Sequence, residues 1–173
     1  TRVSALIRLH EDGNEKAHLN LGVSLPTGSI TEEDTIFTPM GTTQRVRLPY
    51  PMQLGSGTVD VLPGITYSNR IDDFSFGSQA SATIRGNRNS EDYKLGDMGE
   101  VTAWGAYQFA PWISASARVR GQTIGQIDGR DARIMGPVQT ADPDNQGGRF
   151  VEAGIGLNRV GQEGILRGQR IAI

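Results

Sequence analysis

The sequence predicts an all-β chain, an antiparallel up-and-down meander that forms part of a transmembrane β-barrel. Three observations predict it. Apolar and polar residues alternate with period two over many short runs. The connections between those runs are alternately short and long. Large aromatic residues gather beside the short connections. Composition agrees: 23 glycines and 36% hydrophobic residues in 173 suit strands joined by turns, not a helical bundle.

The runs follow in order. Val3, Ala5, Ile7 and Leu9 alternate with Ser4 and Arg8, and EDGNE (11–15) supplies a turn with Asp-Gly chemistry. Leu19, Leu21, Val23 and Leu25 alternate with Asn20, Gly22 and Ser24. A third strand covers about 58–67, with Val59, Val61, Ile65 and Tyr67 on one face. Pro63 lies inside it and removes a ladder donor, so an irregular stretch or bulge is expected there. After a turn at 70–73, Phe74, Phe76, Ala80, Ala82 and Ile84 share a face. A fifth strand covers about 99–109, a sixth 113–123 and a seventh 149–158, and an eighth begins near Gln169. No long stretch has helical periodicity, and no apolar run has the length of a membrane helix.

Short connections fall near 11–15, 70–73 and 110–112, with a medium one near 160–167. Long ones fall at 26–57, 86–98 and 124–148. In a meander every second connection shares an end, so the long loops collect at one end and the turns at the other. Outer-membrane barrels have this asymmetry. Tyr67, Phe74, Tyr107, Phe109 and Trp112 sit by the short turns, as a girdle at a lipid–water boundary does. Tyr50, Tyr93 and Phe150 form a thinner second girdle near the long loops. The opposite face carries the candidate lumen residues Asn20, Asp60, Gln79, Arg85, Glu100, Arg118, Arg120 and Glu152. Trp104 falls on that polar face by parity and is expected to pack inside it. The whole chain, 1–173, reads as a single β-barrel segment with about eight strands, incomplete at both ends.

Other chemistry is weakly signalled. The net charge of −2 and the lack of a basic stripe give no reason to expect nucleic-acid binding, and the absence of cysteine removes disulfides, thiolate metal sites and thiol nucleophiles. His10 and His18 flank the first turn; as turn or interface residues they need no metal, and no metal or cofactor is expected. Asp128, Asp131, Asp142 and Asp144 share one long loop without calcium-loop spacing, and read as solvated. Ser114 and Ser116 have no histidine nearby in sequence, so an enzyme is not expected. Arg85, Arg118 and Arg120 either form a cationic patch or pair with Glu100 and Glu152, and pairing is the favoured reading.

Four strings then stand out: HLNLGVSLPTGSI (18–30), RLPYPMQLGSGT (47–58), VTAWGAY (101–107) and TADPDNQGGR (140–149). Over essentially the whole chain, in order, they resemble a family of bacterial outer-membrane proteins named for the meta-pathway of phenol degradation. The resemblance implies a barrel in the outer membrane of a Gram-negative bacterium. It implies contact with outer-membrane lipid and transport of small, apolar or aromatic solutes, with no catalytic residues. Family members are longer and end on an aromatic residue, usually Phe, whereas this sequence starts at Thr1 and stops at Ile173. Further strands, or other chains that complete or contact the barrel, are therefore expected. Two alternatives stay open: a membrane barrel with a structural or partner-contact role, and a soluble all-β ligand-binding module.

Overall fold

The computed structural model describes residues 1–37, 41–134, 138–162 and 168–172. Its strands are β1 (Arg2–Asp12), β2 (Glu15–Ser24), β3 (Glu33–Phe37), β4 (Thr43–Arg47), β5 (Asp60–Ile71), β6 (Phe74–Thr83), β7 (Tyr93–Lys94), β8 (Met98–Ala110), β9 (Ile113–Ile124), β10 (Asp128–Gly129), β11 (Gly148–Val160) and β12 (Arg170–Ala172). Eight of them form one antiparallel sheet in the order β1-β2-β5-β6-β8-β9-β11-β12. Each neighbour along the sheet is the next long strand of the chain, so the sheet is a meander. β1 and β12 are its two edges, and it does not close on itself.

Registers align residues of one chemistry across the sheet. One row runs Ile7, Leu19, Ile65, Ala80, Val101, Gly121, Val151. The adjacent row, one residue along, runs Arg8, His18, Thr66, Gln79, Thr102, Arg120, Glu152. Period-two alternation therefore gives one apolar and one polar face. Pro63 stays in register opposite Leu21 of β2. On its other side the β5–β6 ladder stops at Gly64 and resumes only as a lone bridge between Val61 and Ile84. The missing donor thus costs a stretch of one ladder and no register. The bulges lie elsewhere, at Arg8/His10 and Gln108/Ala110.

The apolar face has no layer packed on it among the described residues. Ile155 is 92% and Val151 81% exposed in the middle of β11. The buried hydrophobic cluster lies outside the sheet, among the long loops: Tyr50, Tyr93, Ile127, Ile134 and Ala141, with Leu95 against them. Sequence alternation missed the elements of this cap. A β3–β4 hairpin folds within the first loop, and β7 of the second loop pairs with β10 of the third. Short 3-10 turns at Tyr50–Met52, Gln139–Ala141 and Pro143–Asn145 complete it.

Candidate functional site

The polar face and its loop cap form the candidate site. Asn20, Asp60, Gln79, Arg85, Glu100, Arg118, Arg120 and Glu152 all fall on the polar face by register. The structure divides the three arginines. Arg120 bridges Glu100 at 2.8 Å and Glu152 at 3.0 Å, which joins β8, β9 and β11 side by side. Arg85 pairs with neither glutamate: it bonds Asp60 at 2.6 Å, and Asp60 is fully buried. Thr58 and Ser56 donate to the same carboxylate, so that charge is neutralised and solvated by protein groups. Arg118 has no ion-pair or side-chain hydrogen-bond partner among the described residues. Pairing therefore holds for two arginines of three, with a different partner for Arg85. Thr102, buried in the central polar row, donates to the Val119 carbonyl.

Trp104 lies on the polar face opposite Gly77 of β6 and Arg118 of β9. A Cβ on Gly77 would stand 2.5 Å from the Trp104 indole, so the ring occupies the space that a side chain at 77 would need. The aromatic residues near the turns take the apolar face. Phe74 stacks on Phe76 at 5.6 Å, Tyr67 tilts toward Phe76 at 6.3 Å, and Tyr107 meets Phe109 edge-on at 5.1 Å. Trp112 sits in the β8–β9 turn with the Arg159 guanidinium 5.6 Å over its ring.

The second girdle does not form as expected. Tyr93 and Tyr50 are buried and meet edge-on at 5.0 Å inside the loop cluster, away from any boundary. Phe150 lies on the polar side, opposite Gln122. The loops use their tyrosines as a core with Ile127, Ile134 and Ala141, while Phe37, Met52 and Leu54 of the first loop stay exposed. Burial pushes both hydroxyls up from the ordinary tyrosine value.

Arg47 is the centre of that cap. Its side chain is 1% exposed and reaches Asp131 at 3.3 Å, Glu33 at 3.6 Å and Glu91 at 3.9 Å, and it donates to the Ile30 carbonyl at 3.1 Å. Glu33, Glu91 and Asp131 come from the first, second and third long loops, so one cation ties all three. Asp131, expected to be solvated, is therefore buried, and its backbone N–H also donates to the Tyr50 hydroxyl at 3.2 Å. Asp128 and Asp144 are exposed, as expected. Asp128 pairs with Arg88 at 2.7 Å, and Asp142 accepts from the Asp144 N–H at 3.1 Å. The Arg88 guanidinium holds the Asp128 carboxyl below its ordinary value.

Two of the distinctive strings knit together here. A Cβ on Gly28 would lie 2.5 Å from the Leu54 carbonyl oxygen, and one on Gly55 would lie 2.6 Å from the Gly28 carbonyl oxygen. The two backbones cross so closely that only glycine fits at either place. The 3-10 turn at Tyr50–Met52 then lies over the loop end of the polar face. Tyr50 and Pro51 share a cavity of about 220 Å³ with Arg85, Met98 and Ile124, which are polar-face positions at the strand ends.

The remaining expectations separate cleanly. The Arg8/His10 bulge sets His10 opposite Ala17 and His18 opposite Arg8, so the imidazoles are not cross-strand partners. No group of three or more metal-ligating side chains gathers among the described residues. Ser114 and Ser116 stand on β9, with β5, β6 and β8 between them and His18 on β2. Sequence reasoning missed Arg47, Glu33, Glu91 and the buried role of Asp131. Arg47 alone had a signal, an arginine opening the RLPYPMQLGSGT string.

No protein-family model matches this chain, and no curated protein matches it.

Proposed function

We propose that this chain forms wall and cap of a transmembrane β-barrel in the outer membrane of a Gram-negative bacterium, and that the barrel passes small solutes. One observation carries the reading: the sheet has a continuous apolar face with nothing packed on it among the described residues, and a charged, ion-paired face behind it. Burying an exposed Val, Leu or Ile gains about 1.5–3 kcal/mol, and this face leaves Val3, Ile7, Leu21, Val101, Val119, Val151, Ile155 and Leu157 exposed. A face of that size calls for an apolar covering. The band runs on β9 from Ile113 to Thr123, which is ~33 Å along the strand and ~25 Å in height at a typical barrel tilt. That height matches the apolar band of such barrels, and Tyr107, Phe109 and Trp112 bound it at the turn end. Lipid is then the partner of the apolar face. The edges of β1 and β12 would pair with further strands.

The resemblance to the outer-membrane family named for phenol degradation, which rests on the strings quoted above, agrees with this reading. One observation also favours a second role: the Arg47-tied cap lies over the loop end of the polar face, as a plug or contact surface does. The test is cell fractionation of the protein, then an unboiled gel and a planar-bilayer recording. Outer-membrane location with a shift on boiling supports the barrel, and discrete conductance steps support solute passage. A shifted band without conductance favours the plugged role. A protein soluble without detergent, with no shift, overturns the proposal in favour of a soluble β-domain.

A further inference from the structure

Charge on the polar face is sorted by depth. In the middle row, Arg120 is outnumbered by its two partners, Glu100 and Glu152. At the loop end, Asp60 and Arg85 cancel, and Arg2 adds one cation in the Asp60 row at the edge strand. The turn half is different. By register it carries Lys16, Arg70, Arg118 and Arg170 on the polar side, with Arg8 in the middle row just above them. The carboxylate among them is Glu11, which both Arg8 and Lys16 contact. Arg70 bonds only neutral oxygens, the Asp72 carbonyl and the Gln108 side chain, so it keeps its whole charge. Arg118 and Arg170 have no partner among the described residues. Other acidic residues near this end, Asp12, Glu15, Asp72 and Asp73, stand at or beside the turn tips.

We propose that the turn half of the polar face recruits small anions, such as carboxylates or inorganic phosphate, and that the solutes handled by this chain are anionic. The cations stand on a floor of small side chains, Ser68, Ser75, Gly77, Ser116 and Gly154, so their charge reaches the solvent above the sheet. A concave surface lined by one sign of charge concentrates counter-ions of the other sign. The role in solute passage rests on the barrel reading; the attraction itself does not.

Trp104 reports on the site, because it is the direct cross-strand neighbour of Arg118. The chain has two tryptophans, so Trp112→Phe leaves Trp104 as the sole indole emitter. The experiment is fluorescence quenching of that protein in neutral detergent at low ionic strength, with iodide and with caesium. Iodide should quench with a slope several-fold steeper than caesium, the sense expected where a local field raises anion concentration ~10-fold or more. The preference should fade as added salt shortens the screening length to about 3 Å at 1 M. Arg118→Glu combined with Arg70→Glu should reverse it. Equal slopes in the parent, a caesium preference, an indole that neither ion reaches, or a preference unchanged by the double substitution each overturn the proposal. A barrel failure reads differently: the unboiled gel shows no shift while the iodide preference persists.

Discussion

Replacing Val119 with Arg tests the lipid-facing reading most directly. Val119 lies six residues along β9 from Ile113, about 20 Å up the strand and ~15 Å in depth at a typical tilt, within a band ~25 Å high. It is therefore close to mid-depth, and it is more than half exposed on the apolar face. A cation at that depth on a lipid face costs roughly 2–4 kcal/mol. At 1.4 kcal/mol per factor of ten, the ratio of inserted to unfolded protein should fall by about 30-fold to nearly 1,000-fold. The assay is refolding into lipid vesicles across a urea series, read by the fraction that resists heat-free gel unfolding. Ala117→Arg, about 10 Å deep and as close to mid-depth from the turn side, should lose about as much. Ser116→Arg, on the polar face one residue away, should refold nearly as the parent does, since Arg118 and Arg120 already share that face. Equal refolding of Val119→Arg and the parent, with Ser116→Arg the impaired variant, would refute the assignment of faces.

Four further outcomes follow from the geometry. Arg47→Met strands the buried Asp131 carboxylate, while Glu33 keeps Arg45 and Glu91 keeps Arg133, and breaking such a buried pair costs about 3–5 kcal/mol; hydrogen exchange should quicken at Asp131 and Tyr93 while β8 and β9 stay protected. Tyr50 and Tyr93 should ionise above the ordinary tyrosine value in a phenolate absorbance titration, and replacing both with Phe should remove that late step. Because their native values are raised by burial, the stability they carry is whole below the ordinary tyrosine value and is lost as pH rises through the native one. Asp128 works in the opposite sense: its value is held down by Arg88, so its contribution is present above the ordinary carboxylate value and disappears as pH falls through the native one. Acid should therefore loosen the β7–β10 ribbon, seen as faster exchange at the Arg130 amide, and Asp128→Asn should remove that acid dependence. Gly77→Val should displace the Trp104 ring, visible as a shifted emission maximum in the Trp112→Phe background; an unmoved spectrum would contradict the contact at 77.

The strands were legible in the sequence because a sheet with two unlike environments writes its period directly into residue type. Val151, Ala153, Ile155 and Leu157 against Glu152, Gly154 and Asn158 leave little choice of face. The loops have no such period. Their order comes from single contacts between segments far apart in sequence: Arg47 to Asp131, Gly28 to Gly55, Tyr50 to Tyr93. The loop tyrosines look like girdle residues from position alone, and only the third dimension shows that they pack on each other. Arg85 illustrates the same limit. Parity placed it on the polar face, but its partner was decided by Asp60 at the loop end of β5, not by the glutamates farther down the sheet.

On the proposed barrel reading, the cap and the sheet answer two different solvents. Among the described residues, the buried hydrophobic ones are Ile30, Tyr50, Tyr93, Ile127, Ile134 and Ala141, and all belong to the loops. Those loops form an ordinary water-facing core, with an aromatic pair, a buried arginine and its carboxylates. The sheet instead leaves its Val, Leu and Ile outward and satisfies its polar groups along the other face. A water-soluble sandwich would need a second layer on the apolar face, and the chain supplies no element long enough among the described residues: β3, β4, β7 and β10 are all used in the cap. Either lipid or another protein layer must therefore cover the face. On the proposed barrel reading lipid fits the better of the two, because Tyr107, Phe109 and Trp112 stand at the turn end of β8 and β9 and not at mid-strand. A protein layer would want Phe74, Tyr107 and Phe109 at the band's centre, where burial is deepest. The row through Val119 instead has Ala103 and Ala153 beside it and Tyr67 farther along on β5, so across β8, β9 and β11 the centre carries no large ring.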